Sequence, residues 1–284
     1  MQSKHRGWIR VLLIFLPWLL VSGLCQYFAV TFFTGYDYNN PVPQTSTQVV
    51  VGRLGGLLGT LFILWIFMRG VDKEKFINLG FQREGRFKEF LVGFGLGALI
   101  MVFAFLILWG IDQIDFEAFN FDFKGLILGI ILFCCVAVGE EVLLRGYVLR
   151  NLMLSFNKYV ALVVSSLLFA VMHGLNPNID LFSLFGLFLA GMFLGISYIH
   201  TKNLWFPIAL HLGWNLFQSL FGFNVSGQDF YSLIVTSYTE STILNGGAFG
   251  FEASILSLII ELLCTIAIGY YYIKNKKSTT VTAN

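Results

Sequence analysis

Charge is what this chain has least of. Only 12% of its 284 residues are Asp, Glu, Lys or Arg, and 57% are hydrophobic, where a soluble domain carries about 25% and about 45–50%. That excludes an ordinary water-soluble enzyme and points to a single polytopic membrane domain over residues 1–284. The net charge of +2 is segregated by loop, and no nucleic-acid partner is expected. Cys25, Cys134, Cys135 and Cys264 show neither paired CxxC spacing nor a secreted-disulfide framework, so they are expected to serve as small core hydrophobes. No two histidines stand four apart, which removes the HExxH zinc-protease helix. There is no internal repeat, no low-complexity tract and no second Gly/Pro-broken helix of the kind an inverted-repeat transporter uses. No small-x-small cleavage site precedes Phe28, so the apolar stretch after the basic start is expected to remain as an uncleaved helix.

What remains is apolar sequence in long pieces. A membrane-crossing helix needs roughly 20 mostly apolar residues. Eight stretches qualify as candidates: 8–33, 49–69, 90–111, 125–150, 159–175, 180–200, 204–222 and 252–273. The fold class expected is all-α, a helical membrane bundle. Lysines and arginines collect in alternate loops: Lys4, Arg6 and Arg10, then Arg69 to Lys88, then Arg145, Arg150, Lys158, Lys202 and Lys274 to Lys277. Only Lys124 and Arg53 fall towards the other side. The positive-inside rule then places both termini in the cytoplasm. Residues 72–90 mix charges with Phe76, Leu79 and Phe81, which suits a short interfacial helix or hairpin, though a plain positive-inside anchor loop is the reading preferred. Residues 223–251 form a long Gly-, Ser- and Thr-rich outer loop that composition leaves open between an ordered cap and a mobile segment.

Against this background two adjacent carboxylates stand out. Glu140 and Glu141 lie inside an apolar run, with Arg145 one helical turn on. Ionisable groups inside a membrane are expensive and mark function by default. Residues four apart share a helix face, so Glu141 can pair with Arg145, while Glu140, turned about 100° away, is left for chemistry. The fifth stretch ends in Phe169-Ala-Val-Met-His173, and the seventh carries His211-Leu-Gly-Trp-Asn215. At 1.5 Å per residue, Glu140, His173 and His211 lie roughly 15, 21 and 10 Å from the cytoplasmic ends of their helices, deep enough to share a cavity. A poorly solvated glutamate can act as a general base near neutrality, and a histidine with an asparagine amide can donate to an oxyanion. Glu and His are also zinc ligands, so a metal reading competes on residue type. Arg53 is expected to snorkel to the interface. Glu261, midway along the last stretch and without an evident partner in its own helix, reads as structural.

Glu140-Glu141-x-x-x-Arg145, Phe169-x-x-x-His173 and His211-x-x-x-Asn215 together resemble the three motifs of the CPBP family, the CAAX protease and bacteriocin-processing group also called Abi, which includes the Rce1-type prenyl-protein endopeptidases. The resemblance covers roughly residues 125–220, the expected catalytic core. Gly246-Gly-Ala-Phe-Gly-Phe-Glu252 also looks like bacterial members. The resemblance implies an intramembrane glutamic endopeptidase in which Glu140 and His173 activate water, His211 and Asn215 form the oxyanion hole, and Glu141, Arg145 and Phe169 support the site or its substrate. It implies no cofactor and disfavours zinc. It also implies a multi-pass protein of the cell membrane whose partners are the lipid bilayer and a peptide or membrane-protein substrate, in bacterial peptide maturation, immunity or signalling. Two other classes stay open: a non-catalytic scaffold or immunity protein, and a proton-coupled transporter.

Overall fold

The computed structural model describes residues 6–238 and 240–281. Among them, eight principal helices correspond one to one with the eight apolar stretches. They are α1 (Gly7–Thr34), α2 (Ser46–Asp72), α3 (Phe87–Gly110), α4 (Phe123–Ser155), α5 (Lys158–Met172), α6 (Leu181–Thr201), α7 (Trp205–Leu220) and α8 (Ile255–Val281). Their starts are set by local chemistry. Thr45 and Gln48 form a reciprocal capping box at α2. Asp122, Asn157 and Asp180 each accept backbone N–H bonds at the starts of α4, α5 and α6, satisfying donors that have no partner inside the helix.

Six of the eight are long and apolar enough to cross a membrane. The exceptions are α5, with 15 residues, and α7, with 16. In α7 twelve of the 16 residues are buried, so protein rather than lipid surrounds it and it need not match the hydrocarbon thickness. Close approach to α3 puts it there. A Cβ at Gly93 would lie 2.6 Å from the Phe206 carbonyl oxygen, and one at Gly97 would lie 2.5 Å from the Trp214 nitrogen. Small residues let backbones meet where no hydrophobic effect drives helices together.

The basic loops gather on one face. Arg10 of α1 pairs with Asp72 of α2 at 2.8 Å, and Arg150 of α4 lies 3.8 Å from the same carboxylate. His200, at the end of α6, stacks on Tyr272 of α8 with centroids 5.4 Å apart. Residues 72–90 are tucked beneath this face as a short 3₁₀ turn, Phe76–Leu79, whose fully buried Leu79 accepts a hydrogen bond from the Tyr198 hydroxyl at 2.8 Å.

The opposite face carries a small sheet that the apolar pattern did not announce. β1 (Asp115–Phe119) pairs antiparallel with β2 (Ile234–Ser237). The α3–α4 and α7–α8 loops are thereby tied together. Asn176 and Asn178, after α5, donate to the carbonyls of Ser226 and Ala248. The described residues of the long 223–251 loop thus form an ordered cap.

Candidate active site

The site is built around a change of helical pitch. α4 is regular to Glu141 and then runs as a π-helix over Val142–Leu149, every residue of which is buried. The wider turn does not break the pair expected from the sequence: Arg145 Nη1 donates to Glu141 Oε1 at 3.0 Å. Arg145 Nη2 donates to the Gly191 carbonyl of α6 at 3.1 Å, and its guanidinium lies 4.7 Å above the Phe169 ring. Glu141 Oε1 also lies 2.9 Å from His211 Nδ1. One carboxylate oxygen therefore joins α4 to α7 through two donors, at 0% exposure. Such a network holds together only if every charge in it is matched.

Glu140 faces the other way, as its 100° offset requires. Its Oε2 is buried with no hydrogen-bond partner among the described residues and lies 3.8 Å from His173 Nε2. His173 sits just past the end of α5, three residues earlier in the local geometry than a helix running to 175 would give. Its Nδ1 lies 2.8 Å from the Phe169 carbonyl oxygen. A carbonyl can only accept, so Nδ1 carries the hydrogen. In the neutral ring, Nε2 then presents a lone pair towards Glu140. Two acceptors separated by more than a hydrogen bond form a cradle for a molecule with two O–H donors.

Phe169 is the hub of this arrangement. Its ring is 4.6 Å from His173 and 6.4 Å from His211, in addition to its contact with Arg145. The sequence placed Phe169 beside His173 but gave no sign that it touches both histidines.

These groups open into a cavity of about 360 Å³. Glu140, His173, His211, Asn215 and Phe169 all line it, while Glu141 and Arg145 stand behind the wall. Asn215 is one turn from His211 and 5% exposed, and its side chain has no hydrogen-bond partner among the described residues. All seven candidate residues are thus brought to one place. Among the described residues, no three His, Cys, Asp or Glu side chains converge as a metal-ligand set.

Two lining residues were read differently from sequence, and a third, Glu252, was given no role there. Arg53 lines the cavity instead of only reaching the interface. Glu261 lines it too, and it has a partner in its own helix after all: Ser257, one turn earlier, donates to Oε1 at 3.3 Å. An i−4 serine hydroxyl was the available signal. Glu252 also faces in, held by the amide of Ser226 at 3.1 Å and its hydroxyl at 2.8 Å.

Residues 122–217 match the family described as Rce1-like, type II CAAX prenyl endopeptidase Rce1-like. The match takes in all seven candidate residues and leaves out α1 to α3, most of the outer cap, and α8. It agrees with the motif resemblance and supports an intramembrane endopeptidase kind of function for a multi-pass membrane protein. No curated protein and no solved structure matches the chain.

Proposed function

We propose that the protein is an endopeptidase of the cell membrane that hydrolyses a peptide bond within the bilayer, using a water held between Glu140 and His173. The observation that carries this reading is the 3.8 Å gap between Glu140 Oε2 and His173 Nε2, with the histidine tautomer set by the Phe169 carbonyl. A water there donates one hydrogen to each acceptor and aims its lone pairs into the cavity. Glu140 takes a proton as the water oxygen attacks the scissile carbonyl, and later returns it to the leaving amine. No metal is needed for this step.

The carbonyl oxygen gains charge as the bond forms. The Asn215 side-chain amide and His211 supply the donors. Glu141 holds the His211 Nδ1 hydrogen, so Nε2 can donate only when the ring is an imidazolium. In that state Glu140, Glu141, Arg145 and His211 sum to zero charge, the balance a low-dielectric site favours.

The substrate is proposed to be a membrane-associated peptide or protein. The matched family is named for prenyl endopeptidases. The resemblance to bacterial members favours peptide maturation, immunity or signalling, and no prenyl group enters the argument from geometry.

The test compares membranes bearing wild type or Glu140→Gln at equal expression, with new peptide N-termini catalogued by mass spectrometry. Termini dependent on wild type, reduced by at least about 10²-fold in the variant and insensitive to chelator, are the expected result. Identical catalogues, with a cellular phenotype retained by Glu140→Gln, would replace the protease with a non-catalytic scaffold. Loss of cleavage on chelation would restore the zinc reading.

A further inference from the structure

The cavity has a second acidic wall that the hydrolysis does not use. Besides Glu140, its lining contains Asp229, Glu252 and Glu261, against a single guanidinium, Arg53. Arg53 comes from α2, which packs on α1 and α4, whereas Glu261 comes from α8, which packs on α6 and the 251–253 turn. Glu252 and Glu261 therefore form a wall of their own. Both are almost fully buried, at 5% and 1% exposure. Among the described residues, the hydrogen-bond partners of Glu252 and Glu261 are Ser226 and Ser257, and Glu261 Oε2 has none. A buried carboxylate lacking a counter-ion costs several kcal/mol unless something neutralises it.

Their placement is built in. A Cβ at Gly186 of α6 would lie 2.5 Å from the Glu252 carbonyl oxygen, so glycine is what allows the turn to seat Glu252 against the bundle. Glu252 is 5% exposed, and among the described residues only the amide and hydroxyl of Ser226 meet its carboxylate. This wall is short of positive charge.

We propose that Glu252 and Glu261 form a receptor for a cationic group of the substrate, the ammonium or guanidinium of a Lys or Arg side chain near the bond that is cut. This deepens the protease reading and rests on it. A Lys or Arg head entering the cavity would supply the missing hydrogen to Glu261 Oε2 and the missing charge to both carboxylates, and would orient the chain relative to Glu140. The selectivity would be for charge, so neutral side chains of equal length should be disfavoured.

The test uses the full-length protein in lipid nanodiscs with N-acetylated peptides carrying Lys, Arg, citrulline or norleucine at each position in turn. Wild type should cut Lys and Arg peptides about tenfold faster in kcat/KM than their neutral counterparts. Glu261→Gln, and Glu252→Gln with it, should erase that preference while changing neutral-peptide cleavage less than about twofold. Equal cutting of charged and neutral peptides by wild type would overturn the receptor and leave the protease standing. So would an unchanged preference in Glu261→Gln, or an equal loss on all peptides, which would mark a structural role. Binding of the same peptides to Glu140→Gln, read by fluorescence anisotropy, separates the two ideas. Selective binding of cationic peptides with no cleavage by wild type would keep the receptor and sink the protease, and indifferent binding would sink the receptor. If a Gln variant fails to fold, the wild-type preference for Arg over citrulline still decides.

Discussion

Arg145 and Glu141 hold the same ion pair, yet removing either one strands the other. Arg145→Ala leaves Glu141 buried beside a titratable histidine and should destabilise the protein by about 3–5 kcal/mol, read as a lower melting temperature in detergent. The matched replacement of both by neutral residues, Glu141→Gln with Arg145→Met, should recover much of that loss, and failure to recover would mean that the Gly191 and Phe169 contacts of Arg145 dominate. The Asn215 side chain has no hydrogen-bond partner among the described residues, so its removal should disturb folding little. Asn215→Ala is expected to lower kcat by about 10²–10³ with little change in KM, measured by steady-state cleavage of a defined peptide. The Glu141–Arg145 pair was legible from spacing alone, because residues four apart share a face whatever lies around them. The Glu141–His211 bond was not legible, because 70 residues separate its ends and only the packing of α7 against its neighbours brings them together.

At the scale of elements, the starts of the eight apolar stretches were legible to within three residues, but α4 and α8 run on to Ser155 and Val281, because a helix can continue where hydropathy stops. α2 begins at its capping box, three residues before the apolar run, and α5 stops at Met172 because the next residues turn to reach the cap. The Asp180 cap of α6 provides a pH-dependent test. Its carboxyl is held below the ordinary value by the Ser183 hydroxyl and amide. A depressed folded value means that the stabilisation is complete above the unfolded value and fades as pH falls through the folded one. Asp180→Ala should therefore cost about 1 kcal/mol at neutral pH, and the difference from wild type should shrink steadily in melts taken below the ordinary carboxylate range. The glycines of α3 set α7 just as firmly. Gly97→Leu would drive a side chain into the α7 backbone and displace the helix that carries His211 and Asn215, so it should lose cleavage together with about 1–3 kcal/mol of stability, seen by melting and activity on one preparation.

For the whole molecule, charge gives an expectation of sidedness, while the architecture of the cap has no such signal in the sequence. All five residues of β1 are exposed, so that strand has no alternating apolar face to betray it, and its partner lies more than a hundred residues away in a loop of small polar residues. The positive-inside expectation has a direct check. An impermeant thiol reagent should label Glu84→Cys only from the cytoplasmic side and Asn120→Cys only from the other. Labelling of both from one side would mean that α3, the one helix between them, does not cross, and would break the alternation.

The π-helical stretch of α4 can also be seen as a phase setting. At its far end, Arg150 is docked to Asp72 and Glu74, and at its near end Glu140 and Glu141 point in two chosen directions. A π-turn holds one residue more than the α-turn it replaces. Deleting a single apolar residue between Arg145 and Arg150 would let the helix relax to ordinary pitch, and the chain would keep its hydrophobicity and all three motifs. Because the α-turn holds one residue fewer for the same rotation, the two ends would stay nearly in step, with the carboxylates and the docking arginine still facing their partners. One residue gained has no such outlet and would turn anchor and site about 100° apart, so in this segment the loss of a single residue should be tolerated better than the gain of one.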